Sequence, residues 1–202
     1  MKKIVMATNN LGKIKELKSM LNDEFIVMSQ KEAGIDDLDV DENGKTFEEN
    51  AIIKANSIKD LVSKDTYIIA EDSGICIECL GGYPGVKTKR AAFEELNKQI
   101  SDFERNEFYI KKVGDNNNRK VVWQTVIALI DRNGNLKTFI GEVYGLVAKE
   151  QIGKNGFGFD PIFYISEENK TLGQMTSIEK EKYSARKKAV EKLVKYLDEK
   201  NI

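Results

Sequence analysis

The chain has 202 residues, and 32 Lys and Arg against 33 Asp and Glu give it a net charge of −1. This length fits one domain or one bilobed unit, and the balanced charge provides no basic field to attract nucleic acid. No apolar run reaches the roughly 20 residues that cross a membrane. The apolar stretch within residues 1–7 is too short for a signal peptide and leads into polar residues, so we expect a cytoplasmic protein.

Histidine is absent from the sequence. This excludes Ser-His-Asp and Cys-His nucleophilic catalysis and the usual zinc sites. An acid–base step must therefore use a carboxylate, a lysine, a tyrosine or a metal-bound water.

The first predicted unit is a strand, a loop and a helix. Residues 3–7 predict a buried strand, and residues 8–13 are a polar loop rich in turn-forming residues. Ile14, Leu17 and Leu21 follow at helical spacing. Backbone amides at the start of a helix favour phosphate, although an Asn-rich loop equally fits a helix cap.

A second strand, a polar loop and a second helix are predicted next. Residues 25–28 form the strand and residues 31–45 the loop, in which Glu42 is either a solvated charge or a candidate ligand. Thr46 and Glu49 fit a capping box. The predicted buried face of the helix comprises Phe47, Ala51, Ala55, Ile58 and Val62.

An acidic pair follows the third predicted strand. Residues 66–70 are apolar and are expected to end on Glu71 and Asp72, at a turn made by Ser73 and Gly74. Hard divalent cations bind clustered carboxylate oxygens, whereas a solvated acidic turn is the alternative. Together with the loop at the first helix, the pair suggests a magnesium–phosphate complex.

Cys76 and Cys79 have the C-x-x-C spacing of a redox dithiol. Residues 75–80 read as a strand, however, and side chains three apart on a strand point to opposite faces. Packing of two small thiols is therefore the favoured interpretation.

Further elements are predicted in the C-terminal half. Residues 91–108 have helical spacing, and residues 121–130 and 136–147 predict two strands joined at the Asn-Gly hairpin signal of residues 133–134. A short strand is expected at residues 161–164. Strand–helix units combined with an antiparallel hairpin indicate an α/β or α+β sheet protein.

The last candidate site residues combine aromatic and basic side chains. Residues 156–160 read Gly-Phe-Gly-Phe-Asp, which fits either stacking on a base or a tight turn with two core phenylalanines. Lys180 and Arg186 belong to a basic stretch whose alternative is a solvated helix face. The final helix begins at either Thr176 or Ser184, and only the later start lets Lys180 and Arg186 converge on a ligand. Its apolar stripe comprises Ala189, Val190, Leu193, Val194 and Leu197.

These motifs, in this order, resemble the inosine triphosphatase family of XTP/dITP diphosphatases. The matching residues are 7–13 with Glu16, 46–51, 71–74, 80–85, 156–163, and 179–180 with Ser184 and Arg186. The resemblance implies an α/β fold with an elongated, curved mixed sheet flanked by helices, and two lobes with a central active-site cleft in a single domain over residues 1–202. It implies a homodimer that uses Mg²⁺ to hydrolyse deaminated purine nucleoside triphosphates (ITP, dITP, XTP) to the monophosphate and pyrophosphate, cleansing the nucleotide pool.

The same resemblance implies a role for each matching residue. The triphosphate would be held by Thr8, Asn9, Asn10, Leu11, Gly12 and Lys13. Asp72 would bind the metal and act as base for the attacking water, Glu71 and Glu42 would support the metal, and Lys13 and Glu71 would join the catalytic set. Other substrate contacts would come from Ser73, Lys89, Arg90, Phe157, Gly158, Phe159, Asp160, Lys180, Ser184, Ala185 and Arg186.

Two segments depart from the family pattern. Residues 184–186 read Ser-Ala-Arg where the family has Ser-His-Arg, and residues 88–90 read Thr-Lys-Arg where bacterial members have Ser-Ala-Arg. A hydrogen bond to a base substituent is a common source of discrimination, so base selectivity is what these changes affect. The alternative is a nucleotide-binding protein with little catalysis or with altered base selectivity. Nucleic-acid binding by the Lys-rich C-terminal helix is disfavoured, because acidic residues interleave with its lysines.

Overall fold

A computed structural model describes residues 1–35, 38 and 40–199. The described strands are β1 (Lys2–Met6), β2 (Phe25–Ser29), β3 (Thr66–Ile77), β4 (Lys120–Ile130), β5 (Leu136–Val147), β6 (Phe163–Ile165) and β7 (Lys170–Thr171). The described α-helices are α1 (Leu11–Met20), α2 (Phe47–Ser57), α3 (Ala91–Leu96), α4 (Asp102–Val113), α5 (Ser177–Glu181) and α6 (Ala185–Glu199). None of these helices is long and apolar enough to cross a membrane.

The strands form one mixed sheet of seven in the order β2-β1-β3-β4-β5-β6-β7. β1 runs parallel to both β2 and β3, whereas β6 runs antiparallel to both β5 and β7. The predicted α/β class, with a mixed sheet flanked by helices, is confirmed.

The chain divides into two compact units, each built from separate stretches of sequence. The first unit contains the described residues of 1–72, 125–141 and 186–202, and the second contains 73–124 and 142–185. A single bilobed domain over residues 1–202, with an active-site cleft, stays a prediction.

In the first unit, α1 and α6 share an apolar core with the strands. The buried members of this core are Ile4, Met6, Ile14, Leu17, Val27, Tyr67, Ile69, Ile127, Leu129, Phe139, Ala189, Val190, Leu193 and Leu197. Tyr67 and Ile69 of β3 both belong to it. Since side chains alternate along a strand, Glu71 points to this same face.

The second unit has its own core, rich in aromatic side chains. Its buried members are Ile75, Ile77, Ala92, Tyr109, Val113, Val121, Val143, Val147, Phe159, Ile162, Phe163, Ile165, Leu172, Met175 and Ala185. Trp123 and Tyr83 pack against this core while remaining partly exposed. Both α4 and the segment before β6 thus contribute to one apolar cluster.

The prediction that β3 ends on the acidic pair was wrong. Residues 66–77 form one strand, and Gly74 lacks the positive φ seen at the turn glycines Gly81, Gly82 and Gly85. The backbone N–H of Ile75 instead donates to the Thr88 hydroxyl, 3.0 Å away, which holds the strand extended past Gly74. Glu71 and Asp72 are therefore adjacent strand residues and face opposite sides of the sheet.

The single helix predicted at residues 91–108 was also wrong. The structure has α3 and α4 there, because Asn97 adopts a left-handed conformation (φ 49°) that ends α3. Ser101 and Glu104 then form a reciprocal capping box that starts α4. A helix can restart wherever a cap satisfies its first amides.

Two further helix boundaries can be compared with the sequence predictions. The end of α2 differs from the prediction, and the start of α6 decides between the two predicted alternatives. α2 ends at Ser57, so Ile58, which is its C-cap, and Val62 lie outside the helix that was predicted to include them. The later start of the last helix is confirmed, because α6 begins at Ala185 and is separate from α5. The Thr176 capping box belongs to α5.

Cys76 and Cys79 are free and half-buried. Cys76 lies in β3, whereas Cys79 lies in a short 3₁₀ turn (Glu78–Leu80) rather than in a strand. Burial raises the pKa of the Cys76 thiol, and Glu142 raises it further. A raised pKa disfavours the thiolate, which suits a packing role better than a redox role.

Candidate functional site

The predicted phosphate loop is shorter than expected, because α1 begins at Leu11. Asn10 is its N-cap, and the Asn10 Oδ1 atom accepts from the backbone N–H groups of Gly12 (3.0 Å) and Lys13 (3.3 Å). The Thr8 hydroxyl in turn accepts from the Asn10 N–H at 3.2 Å. The helix-cap alternative is thus realised, and the positive end of α1 lies at this loop.

Glu71 is the buried centre of an ion-pair cluster in the first unit. Its side chain is 2% exposed, with Lys13 Nζ 2.7 Å from Oε1 and Arg186 Nε 2.8 Å from Oε2. Burial alone would raise the pKa of Glu71, but Lys13 and Arg186 outweigh burial and hold that pKa below its usual value. Glu71 is therefore a carboxylate with two cationic partners.

Arg186 joins the start of α6 to α1. Its guanidinium donates to the Lys13 carbonyl oxygen at 2.8 Å, pairs with Glu71 and also pairs with Glu16. The sequence pattern included Glu16 but predicted no role for it, and in the structure Glu16 is an ion-pair partner of Arg186. Two carboxylates and two cations balance in this cluster of Lys13, Glu16, Glu71 and Arg186.

Asp72 faces the opposite side of β3 and meets α2. Lys54 Nζ lies 2.8 Å from Asp72 Oδ1, and Asn50 Nδ2 donates to Asp72 Oδ2 at 3.3 Å. Glu42 Oε2 lies 3.2 Å from the same Lys54 ammonium. The structure therefore brings Asp72 and Glu42 to one cation, while Glu71 points to the other face.

Sequence reasoning missed Asn50 and Lys54. They lie four residues apart on α2, so they share one side of the helix. Asn50 is buried between the predicted apolar positions Phe47 and Ala51. A polar residue at a buried helical position was the signal that identifies this site.

Asp72, Glu42 and Lys54 together carry one net negative charge. Within the described ranges, no group of three or more Asp, Glu, Cys and His side chains is placed to hold a metal ion. Mg²⁺ commonly binds one or two carboxylates and takes its remaining ligands from water and substrate phosphates. Two convergent carboxylate oxygens with one net negative charge fit that pattern.

In the second unit, Asp160 shapes the 156–160 loop. Its Oδ2 atom accepts from the Phe157 N–H at 2.9 Å and lies 2.5 Å from Lys180 Nζ. Gly156 has a φ of +80°, and a Cβ there would clash with Asp160 and Lys180. A glycine is thus required where the loop folds over this ion pair.

The two phenylalanines of this loop have different environments. Phe159 is 4% exposed and packs edge-on against Tyr109 and Trp123, with ring centroids 5.6 and 6.3 Å apart. Phe157 is 77% exposed. One ring belongs to the core, as the tight-turn interpretation expected, and the other is available for contact.

The remaining predicted substrate residues lie in the second unit. Lys89 and Arg90 are exposed at the start of α3, where Arg90 Nε lies 3.3 Å from Glu94 Oε1. Ser73 lies half-buried in β3. Ser184 is half-buried, and Ala185 is buried in the apolar core. Lys180 belongs to the second unit and Arg186 to the first, so their convergence on a ligand stays a prediction.

Comparison with known proteins places this geometry in a family. The model of the Ham1 family matches residues 4–196. A Clostridium perfringens protein named dITP/XTP pyrophosphatase is 41% identical over 200 residues, covering 96% of each chain. A Bacillus subtilis protein of the same name is 39% identical over 199 residues, covering 98% of each chain.

Solved structures agree with the sequence relatives. The Staphylococcus aureus Ham1 protein superposes with a TM-score of 0.88 at 34% identity, covering 98% of this chain and all of that one. A HAM1 protein from Coxiella burnetii gives a TM-score of 0.86 at 35% identity with the same coverage. The chain belongs to the Ham1 family.

Proposed function

We propose that the protein is a nucleoside triphosphate pyrophosphatase that hydrolyses deaminated purine nucleotides such as dITP, XTP and ITP. Water adds across the α–β phosphoanhydride, so that the products are the nucleoside monophosphate and pyrophosphate. The full-length match to relatives named dITP/XTP pyrophosphatase is the observation that carries this proposal. We also propose a cytoplasmic homodimer, as the lack of a signal-peptide pattern and the family resemblance of the sequence led us to expect.

Asp72 and Glu42 are the residues that would hold Mg²⁺. The convergence of both carboxylates on one positive charge, the Lys54 ammonium, supports this assignment. Bound Mg²⁺ would neutralise charge on the triphosphate. Asp72 would accept the proton of the attacking water, and Asn50 fixes the second Asp72 oxygen for that task.

The triphosphate would be bound by the start of α1 together with Lys13 and Lys54. The dipole of α1 and the Lys13 ammonium both favour an anion there. The Asn10 side chain already occupies two amides of this turn, so a phosphate would compete with the cap for them. Glu71 would support the site indirectly, by holding Lys13 and Arg186 in place.

The base would be recognised by the 156–160 loop and its partner Lys180. Phe157 offers an exposed aromatic face, and base–aromatic stacking is worth about 1–3 kcal/mol per base. Ala185 supplies no hydrogen-bonding side chain and is buried, so we propose that selectivity here depends on the loop rather than on residue 185.

The proposal is tested by product analysis over a panel of nucleotides. The purified protein is incubated with dITP, XTP, ITP, dATP and dGTP, with Mg²⁺ or with EDTA, and pyrophosphate and orthophosphate are measured separately. We expect Mg²⁺-dependent release of pyrophosphate, faster from the deaminated purines. Orthophosphate as the product, or equal rates for dITP and dATP, would contradict the proposal. Tight nucleotide binding without turnover would favour a binding protein instead.

A further inference from the structure

Side chains of α4 form hydrogen bonds with the backbone of the 156–160 loop. The Gly158 N–H donates to Asp102 Oδ2 at 2.9 Å, and the Gly158 carbonyl oxygen accepts from Asn106 Nδ2 at 2.9 Å. Asp102 and Asn106 are four residues apart and so lie one turn apart on the same side of α4. The two peptide groups that flank Gly158 are thus both fixed by side chains of α4.

Arg105 of α4 holds the buried ring of the loop. Its guanidinium carbon lies 4.4 Å from the centre of the Phe159 ring, and its Nη2 atom lies 2.8 Å from Asp102 Oδ1. A planar guanidinium stacks on an aromatic face, which the ammonium of a lysine does less well. Arg105 therefore links the Phe159 ring to the same Asp102 that binds Gly158.

Asn106 is itself held in one orientation. It is 1% exposed, and its Nδ2 atom also donates to Gln151 Oε1 at 3.1 Å. Gln151 Nε2 then donates to the Phe103 carbonyl oxygen of α4 and to Glu107 Oε1. A buried amide with two acceptors has little freedom to follow a moving loop.

We infer that Asp102, Arg105 and Asn106 are positioning residues that set base selectivity by fixing the 156–160 loop. This inference rests on the proposed function, in which the loop contacts the base. The Phe157 ring reaches solvent, so its position depends on the hydrogen bond from its own N–H to Asp160 and on the hydrogen bonds made by Gly158. A small misplacement of a group that orients a substrate changes rates strongly, about tenfold or more.

The substitution that best tests the inference is Asp102→Ala, because the Asp102 side chain is 57% exposed and its replacement should cost little stability. It removes the acceptor for the Gly158 N–H, whereas Asp102→Asn keeps an acceptor oxygen. We expect Asp102→Ala to lower the ratio of kcat/KM for dITP over dATP about tenfold, mainly through KM. Asp102→Asn should restore most of the ratio, and Lys111→Ala, an exposed change on the same helix, should leave it unchanged.

Trp123 provides a second readout that does not require catalysis. It is the only tryptophan of the chain, and its ring centroid lies 6.3 Å from that of Phe159. In the nucleotide-free protein, Asp102→Ala and Arg105→Lys should increase the quenching of Trp123 fluorescence by acrylamide, while Lys111→Ala should not. A thermal melt on each variant separates a loosened loop from global unfolding.

The outcomes distinguish this inference from the proposed function. If the wild-type protein discriminates dITP from dATP and Asp102→Ala keeps that ratio, the positioning role is overturned while the function stands. If the wild-type protein releases no pyrophosphate from any nucleotide, the proposed function fails and the selectivity role fails with it. In that case, if acrylamide quenched Trp123 equally in the wild type, Asp102→Ala and Arg105→Lys, the claim that α4 fixes the loop would also be overturned.

Discussion

The two faces of β3 treat neighbouring carboxylates differently. Glu71 is 2% exposed and has two cationic partners, whereas Asp72 is 14% exposed and shares Lys54 with Glu42. The first face has balanced charge and joins α1, β3 and α6. The second has excess negative charge and suits a divalent cation. The two adjacent acidic residues of β3 therefore have different partners and, we propose, different roles in one site.

The largest expected effect is the loss of turnover in Asp72→Asn. Removing a catalytic base costs about 10²–10⁴ in rate, and we expect the upper part of that range because Asp72 is proposed as both the base and a metal ligand. Pyrophosphate release from dITP under saturating Mg²⁺ measures the effect. Glu78→Gln, just beyond the end of β3 and exposed, is the matched control and should keep wild-type turnover. Near-normal turnover in Asp72→Asn would contradict the proposal that the Asp72 face of β3 is catalytic and the Glu71 face structural.

Glu71→Gln should act first on stability. Removing one partner of a buried ion pair leaves the other charges uncompensated, so the free energy of unfolding should fall by about 3 kcal/mol. Urea unfolding measures the change. The exposed Glu94, which pairs with Lys87 and Arg90, is the control, and Glu94→Gln should cost less than about 1 kcal/mol. Equal effects of the two substitutions would show that burial of Glu71 confers no special role.

Glu42→Gln sharpens the comparison on the Asp72 face. Because Glu42 supplies the second carboxylate near Lys54, its loss should weaken Mg²⁺ affinity about tenfold while stability changes little. The Mg²⁺ dependence of pyrophosphate release reports that affinity. Asp41→Asn, one residue earlier in the chain, should leave the dependence unchanged. Identical Mg²⁺ curves for wild type and Glu42→Gln would limit the metal site to Asp72.

The smallest expected effect concerns Phe157 and Phe159 in the second unit. We predict that Phe157 contributes to substrate binding and Phe159 to stability. Phe157→Ala should raise KM for dITP by about fivefold, corresponding to the low end of stacking energies, with stability unchanged. Phe159→Ala should instead lower the free energy of unfolding by about 3–5 kcal/mol, as buried aromatic truncations do. Paired melts and steady-state kinetics separate the two results. A stability loss in Phe157→Ala would contradict its exposed position.

Local signals in the sequence predicted much of the fold. Residues 136–147 were predicted as a strand with the observed bounds of β5, because the Asn-Gly hairpin signal indicates a partner for the preceding strand. Thr46 caps α2 as predicted, but Glu49 accepts from the Lys45 N–H at 2.5 Å, so the reciprocal bond goes one residue earlier than a capping box requires. Which backbone N–H reaches the Glu49 carboxylate depends on the conformation of the residues that precede α2.

Other features depend on contacts that no local pattern contains. Gly74 resembles a turn residue, yet Thr88, 13 residues from Ile75, holds the strand extended there. The pairing of Arg186 with Glu71 spans 115 residues. Asn50 is recognisable as a polar residue on the buried face of α2, but only the folded structure shows that Asn50 and Lys54 contact Asp72. The acidic residues were therefore identifiable from the sequence, and their separation onto two faces was not.

The central claim is that Asp72, and not Glu71, belongs to the metal site, and Mn²⁺ binding measured by electron paramagnetic resonance tests it most directly. The experiment compares wild type, Asp72→Asn and Glu71→Gln without nucleotide, after melts confirm that each variant is folded. We predict that Asp72→Asn weakens Mn²⁺ affinity at least about tenfold, whereas Glu71→Gln stays within about twofold of wild type. Equal weakening in both variants would contradict the proposal that Asp72 binds the metal and Glu71 does not.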